Sequence, residues 1–272
     1  MTLDAGVQWY EAYGAVNNYG RLMVGGSDRS IGSSGGWLAG GGHSILSPNY
    51  GLGKTSKDGR LVHEINRQPE GVDNAIEISV VLSTGEFLIT NEYQNSDLFW
   101  ALRGGGGSTY GIVTSVTYHT YLSVPAQFYA FQVNITNSSV LPELVGELLR
   151  FQTQFTDDGW GGYGSITEQQ LSFLYAAPNM TNETAMATTE AWHNYTLSLE
   201  PFGAVTAEQR YWVPAWYELL QNLLNIEVKN GQNILFTSRL LSRDTLANKY
   251  TEMAEILVNC SGSVKCVLHA SS

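Results

Sequence analysis

The chain has little cysteine, little charge and no long apolar run. Cys260 and Cys266 are the two cysteines among 272 residues. Two thiols cannot staple a disulfide-rich scaffold, and no CxxC pair or histidine cluster beside them suggests a metal. They read either as one small disulfide loop or as two free thiols. Charged residues are 14% of the chain, and 25 acidic against 14 basic side chains give a net charge of −11. That balance repels phosphate backbones and anionic lipid, so neither nucleic acid nor a membrane is expected as partner. No segment approaches the ~18 apolar residues that span a bilayer. GxxxxGK[ST] is missing, and no GxGxxG follows a strand and opens a helix, which argues against a P-loop and a Rossmann unit.

Glycine is plentiful, at 29 residues, and it is clustered. Residues 6–19 read as a short amphipathic helix with Val7, Tyr10 and Val16 on one side. Residues 21–47, dense in Gly and Ser, read as loop and turn rather than core. Within 74–90, AIEISVVL, STGE and FLIT read as strand, turn and strand. Asn95-Ser96-Asp97 offer cap residues for a helix through Leu102, four glycines end it, and YGIVTSVTYHTYL follows as a long strand. Beyond about residue 124 helices are expected near 139–155, 183–198, 207–226 and 243–258, with strands near 163–176 and 232–241. The fold class is α+β, with helices on one face of an antiparallel sheet, and the domain boundary is placed at Val124-Pro125.

Six Asn-x-Ser/Thr sequons occur, at Asn134, Asn137, Asn179, Asn182, Asn194 and Asn259. About three would arise by chance at this composition. They point to a protein of the secretory pathway. The opening MTLDAGVQWYEAYGAV lacks the basic start and apolar segment of a leader, so any leader is expected outside this sequence.

Three glycine-rich stretches carry the chemistry. They are Gly25–Gly36, Gly40–Ser44 and Arg103–Val113. Glycine lets backbone N–H groups approach an anion closely and adopt the positive φ of an anion-binding nest. In this order, joined by a hairpin, GWLAGGGHSILSPNYGLG (36–53) and NSDLFWALRGGGGSTYGIV (95–113) resemble the second half of the flavin-binding domain of FAD-linked oxidases related to berberine bridge enzyme. The resemblance is strong over 4–120 and weak over 125–272. It implies a partial FAD-binding domain of the PCMH type at 1–124 and a partial substrate domain at 125–272, each truncated.

By that resemblance, FAD contacts are expected from Ser30, Ile31, Gly32, Ser33, Gly35 and Gly36 in the first loop and from Gly42, His43 and Ser44 in the second. Asp73 and Asn74 match the family's D-N pair, and Gly111, Ile112 and Val113 match its GIV element at the adenosine half. The activity implied is hydride removal from an alcohol or amine carbon of a small-molecule substrate, with O2 as final acceptor. Family substrates include sugars, alkaloids and fungal secondary metabolites. The RxxGH-type loop that precedes this half in relatives, often bearing a flavin-linked His, is not found here, and Asp28 stands near the position of the Cys some relatives use. No covalent link is therefore expected through this chain. No residue matches the family's catalytic base. A catalytically inactive fragment is the alternative expectation. Residues 54–71, KTSKDGRLVHEINRQPEG, interrupt the pattern between GLG and D-N. Seven of these eighteen residues are charged, and they read equally as a surface insertion or a translated intron.

Overall fold

The computed structural model describes residues 1–50, 54–55, 61–62, 70–224, 241–261 and 266–270. In chain order these residues form β1 (Thr2–Asp4), α1 (Trp9–Asn17), β2 (Arg21–Leu22), α2 (Gly36–Ala39), α3 (Ser47–Tyr50), β3 (Lys54–Thr55) and β4 (Leu61–Val62). Next come β5 (Ala75–Val81), β6 (Phe87–Asn91), α4 (Ser96–Leu102), β7 (Ile112–Tyr118), β8 (Tyr121–Leu122), β9 (Ala126–Ile135) and α5 (Leu141–Asp157). The chain continues through β10 (Gly161–Ile166), β11 (Gln170–Pro178), α6 (Asn182–Ser198), β12 (Ala204–Val213), α7 (Trp216–Leu224), α8 (Arg243–Asn248), α9 (Tyr250–Ser261) and β13 (Cys266–Ala270). They divide into two compact units, Met1–Pro125 with α7, and Ala126–Val213 with α8, α9 and β13.

The first unit holds a four-stranded antiparallel sheet in the order β1-β7-β5-β6. Its inner face buries Leu3, Ile78, Val80, Val116 and Tyr118, the period-2 positions of these strands. The opposite face leaves Phe87, Ile89 and Ile112 exposed. Helix α1 buries Trp9, Ala12, Tyr13 and Val16. Its start differs from the expected one. Gln8 caps it in a reciprocal box with Glu11, so Trp9 rather than Tyr10 faces inward and Tyr10 is exposed. Residues 21–47 also depart from a pure surface loop. Met23, Val24, Ser33, Ser34, Leu38, Ile45 and Leu46 are buried. A glycine-rich backbone can pass through a core when its polar groups are paired, and Ser34 Oγ donates to Leu3 O at 2.9 Å.

The second unit is a five-stranded antiparallel sheet, order β12-β9-β11-β10-β13. Tyr129, Phe131, Val133 and Ile135 of β9 join Leu171, Phe173 and Tyr175 of β11 in one core with Leu144, Leu148 and Phe155 of α5 and Trp192 of α6. The helices start where their residues specify. Thr181 accepts from Thr184 N at 3.1 Å to cap α6, and Ser242 accepts from Thr245 N at 3.1 Å to cap α8. The structure is α+β, with helices covering one sheet face as expected.

Three elements correct the sequence reading. The helix expected over 207–226 is strand β12 as far as Val213, and among the described residues of that span Trp216–Leu224 is helical. Ten cross-strand pairs with β9 override the local helical pattern. The single strand expected over 163–176 is the hairpin β10–β11, turning through 167–169. Residues 126–135, given no element in the sequence reading, form the long central strand β9. Of the expected strand at 232–241, only Leu241 is described. Most of 54–71 and the side chains of both cysteines likewise lie outside the described residues.

One ionic cluster ties β12 to β9 and α6. Glu208 receives Tyr129 Oη at 2.8 Å, lies 2.9 Å from His193 Nδ1 and pairs with the Arg210 guanidinium. Arg210 Nε in turn donates to Thr189 Oγ1 at 2.9 Å. Burial, then the Glu208 carboxylate, pushes the Tyr129 phenol far up, so it stays a donor. Glu208→Gln removes the charge that holds this cluster. It is expected to lower stability by about 1.5–3 kcal/mol in urea unfolding; a loss within error would show that the cluster contributes nothing net.

Candidate functional site: a three-loop glycine cradle

The first unit brings its three glycine stretches together through backbone contacts. Gly71 N donates to Gly42 O at 2.7 Å, and Val72 N to Gly41 O at 3.2 Å. Gly106 N donates to Ala39 O at 2.8 Å. These bonds join the 40–44 turn to the 70–74 segment and the 104–107 loop to helix α2. The approach requires glycine. A Cβ on Gly71 would sit 2.2 Å from the Trp37 ring and 2.7 Å from Gly42 O. Gly42 itself has φ +80°, where L side chains are strained. Trp37 locks the turn from the other side, its Nε1 donating to His43 O at 3.1 Å.

Four glycines of the cradle face open space. A Cβ on Gly32, Gly35, Gly36 or Gly41 would meet no atom within 4 Å. Gly35 and Gly36 are exposed and Gly32 and Gly41 half-buried, so this is surface backbone. Here the chain presents bare main chain on loops held rigid from behind, which suits close approach of a ligand's anionic or planar group.

The predicted site residues divide by what their side chains do. Ser33 is fully buried and donates to Val7 O at 3.0 Å, so its hydroxyl faces the core. Ser44 is buried and accepts from Leu46 N at 3.3 Å. Ser30 is exposed and turned onto Asp28 Oδ1 at 2.8 Å. Asp73 caps the 3₁₀ turn Gly71–Asn74 by accepting from Glu70 N at 2.9 Å. Asn74 is buried, donates to Tyr50 O at 3.3 Å and accepts from Tyr121 Oη at 2.7 Å. Burial pushes the Tyr50 and Tyr121 phenols up to about 12, and Tyr121 stays a protonated donor to Asn74. Ile31 and His43 are exposed, and Gly32, Gly35, Gly36 and Gly42 contribute backbone. Ile112 and Val113 start β7, paired with Val81 and Val80, and Gly111 immediately precedes them. In the preceding loop Gly104 and Gly107 approach Gly41 and Gly36, and Gly106 bonds Ala39, an ideal Cβ of Gly107 lying 3.9 Å from Gly36 Cα. The run of four glycines was the signal for them.

Glu70 sits beside His43 at this cradle. Burial raises its carboxyl above the ordinary 4.5, His43 opposes that and Asp73 adds to it. One carboxylate oxygen, Oε2, is buried without a hydrogen-bond partner. A carboxyl raised on folding favours the native state while protonated. That contribution is complete below 4.5 and is lost as pH rises through the raised value. Glu70→Gln is therefore expected to raise the melting temperature near neutrality and to match the parent below pH 4.5. An equal difference at both pH values would show that the carboxyl does not titrate as described.

The second unit carries a cavity of about 650 Å³ on the sheet face away from the helices. Its lining includes Gln132, Tyr163, Ser165, Ser172 and Gln209. Gln132 Nε2 donates to Asn134 Oδ1 at 2.8 Å, and the Ser165 and Ser172 hydroxyls are 3.1 Å apart. Among the described residues no helix is long and apolar enough to cross a membrane, and no His/Cys/Asp/Glu group could hold a metal.

No family model matches the chain. An uncharacterised FAD-linked oxidoreductase from Arthroderma benhamiae is 31% identical over 264 residues, which cover 94% of this chain. The chain belongs to the FAD-linked oxidoreductases. It spans less than half of that relative's length, 43%. A VAO-type flavoprotein from Myceliophthora thermophila C1 superposes with a TM-score of 0.80 at 23% identity, covering 94% of this chain and 44% of that one. A BBE-like protein of Physcomitrella patens gives 0.64 at 20% identity, covering 91% and 45%. These two likenesses show that the fold is that of the VAO and BBE-like flavoproteins.

Proposed function

We propose that this chain is part of an FAD-dependent oxidase acting on a small organic substrate. The observation that carries the reading is the cradle, where backbone bonds join Gly41 and Gly42 to Gly71–Val72 and Gly106 to Ala39 of α2, while the backbone at Gly32, Gly35, Gly36 and Gly41 faces open space. Bare, rigid main chain of this kind fits the diphosphate and ring edge of FAD. Ser30, Ile31, Gly32, Gly35, Gly36, Gly42 and His43 would line the cofactor. Ser33, Ser44, Asp73 and Asn74 shape the loops from behind, and Gly111–Val113 would contribute backbone. The chemistry FAD supplies when bound is acceptance of a hydride from an alcohol or amine carbon, with return to the oxidised form by O2.

The chain's own residues bind and orient. The cradle resists collapse because Gly71, Gly42 and Trp37 interlock. The sheet cavity is lined mainly by apolar surface, with the amides of Gln132 and Gln209 and the hydroxyls of Ser165 and Ser172 as its polar points, which suits a small organic substrate with hydroxyl or amine groups. In this reading the first unit, Met1–Pro125 with α7, serves the cofactor and the second the substrate. The six sequons support passage of the whole protein through the secretory pathway.

An absorption spectrum of the purified chain, before and after addition of FAD and desalting, tests the cofactor reading. Retained flavin absorbance is the expected result. A folded protein, verified by circular dichroism, that stays colourless would overturn it.

A further inference from the structure

The six sequons are not equivalent in the folded chain. Five of the six asparagines are exposed: Asn137, Asn179, Asn182, Asn194 and Asn259. Asn134 is not. It lies in β9, between β11 and β12, opposite Gln170 on one side and Val205 on the other. Its Oδ1 accepts from Gln132 Nε2 at 2.8 Å and from Gln170 Nε2 at 3.3 Å. Gln132, its partner, lines the sheet cavity.

The exposed sequons sit elsewhere. Asn194 and Asn259 are on α6 and α9, the helices that cover the other sheet face. Both helices turn apolar residues inward, Trp192 and Ala254 among them, and leave these asparagines in solvent. Asn137 stands in the turn before α5, and Asn179 and Asn182 flank the cap of α6.

We propose that Asn194 and Asn259, on the helical layer, are N-glycosylation sites, and that Asn134 remains unmodified in the folded protein. The transfer forms a bond from Asn Nδ2 to C1 of the first sugar of a lipid-diphosphate-linked oligosaccharide. The C1–O bond to the diphosphate breaks, the lipid diphosphate leaves, and Nδ2 gives up one proton. At Asn194 and Asn259 the sugar extends into solvent. At Asn134 it would stand on the polar sheet face beside the cavity and separate the amide from Gln132 and Gln170.

This rests on the secretory reading above, and a test with a supplied leader keeps it independent of the flavin reading. The full chain is expressed behind a heterologous secretion leader in a eukaryotic host. Secreted and cell-retained fractions are treated with peptide N-glycosidase in heavy-oxygen water and mapped by mass spectrometry. Label is expected at positions 194 and 259 and not at 134 in the secreted fraction. Asn194→Gln and Asn259→Gln should each increase gel mobility by one glycan, and Asn134→Gln should leave it unchanged. Label at position 134 as high as at 194, or no label at both 194 and 259 in either fraction, would overturn the proposal. Flavin absorbance read on the same preparation separates the two ideas, since a correctly glycosylated but colourless protein would sink only the flavin reading.

Discussion

Gly36→Leu is expected to leave the fold intact and to weaken FAD binding at least about 100-fold, or roughly 3 kcal/mol. The two effects separate because of where a side chain would go. Nothing of the protein lies within 4 Å of a Cβ at Gly36, so leucine costs the apo fold little. Gly36 opens helix α2, and leucine is a better helix former than glycine. The same side chain would occupy the space beside the glycine loops that we assign to the cofactor. Flavin fluorescence titration with a melting curve on each variant measures both. Unchanged affinity would remove the space beside α2 from the cofactor site. A collapse of the melting temperature would show that the cradle is packed rather than open.

Trp192→Ala should destabilise the second unit by about 3–5 kcal/mol. Trp192 is fully buried, with its ring centroid 5.2 Å from that of Phe131, 5.5 Å from Phe151 and 5.7 Å from Tyr195. Removing it leaves a cavity at the contact of α6 with the sheet. Its Nε1 has no hydrogen-bond partner, so the loss is one of packing. Trp192→Phe keeps most of that packing and removes an unpaired buried donor; a cost near or below about 1.5 kcal/mol is expected for it. Urea unfolding followed by circular dichroism gives both values. Equal losses in the two variants would mean that the indole N–H, not the ring, holds this position.

The candidate site was legible wherever local chemistry is sufficient. The glycine runs identified the loops, and AIEISVVL-STGE-FLIT identified the hairpin, because turn residues and period-2 alternation act over a few neighbours. The side chains within those loops were less legible. Ser30 and Ser33 read alike in sequence, yet one is exposed and the other fully buried against Val7 O. Asp73 and Asn74 matched a family pair, but only their partners Glu70, Tyr50 and Tyr121 reveal that the two side chains shape the turn. Strand β12 was hidden for a related reason. Its residues carry a helical pattern, and the partner that makes them a strand, β9, lies about seventy residues earlier.

By itself the sequence determined the fold class, the three glycine loops, the family and the set of sequons, since each is written in residues close together in the chain. Tertiary structure alone decided that the 104–107 loop approaches Gly36, Ala39 and Gly41. It also decided which asparagines reach solvent. Both depend on contacts between segments far apart in sequence, where packing and hydrogen-bond pairing choose among conformations that local preference leaves equal.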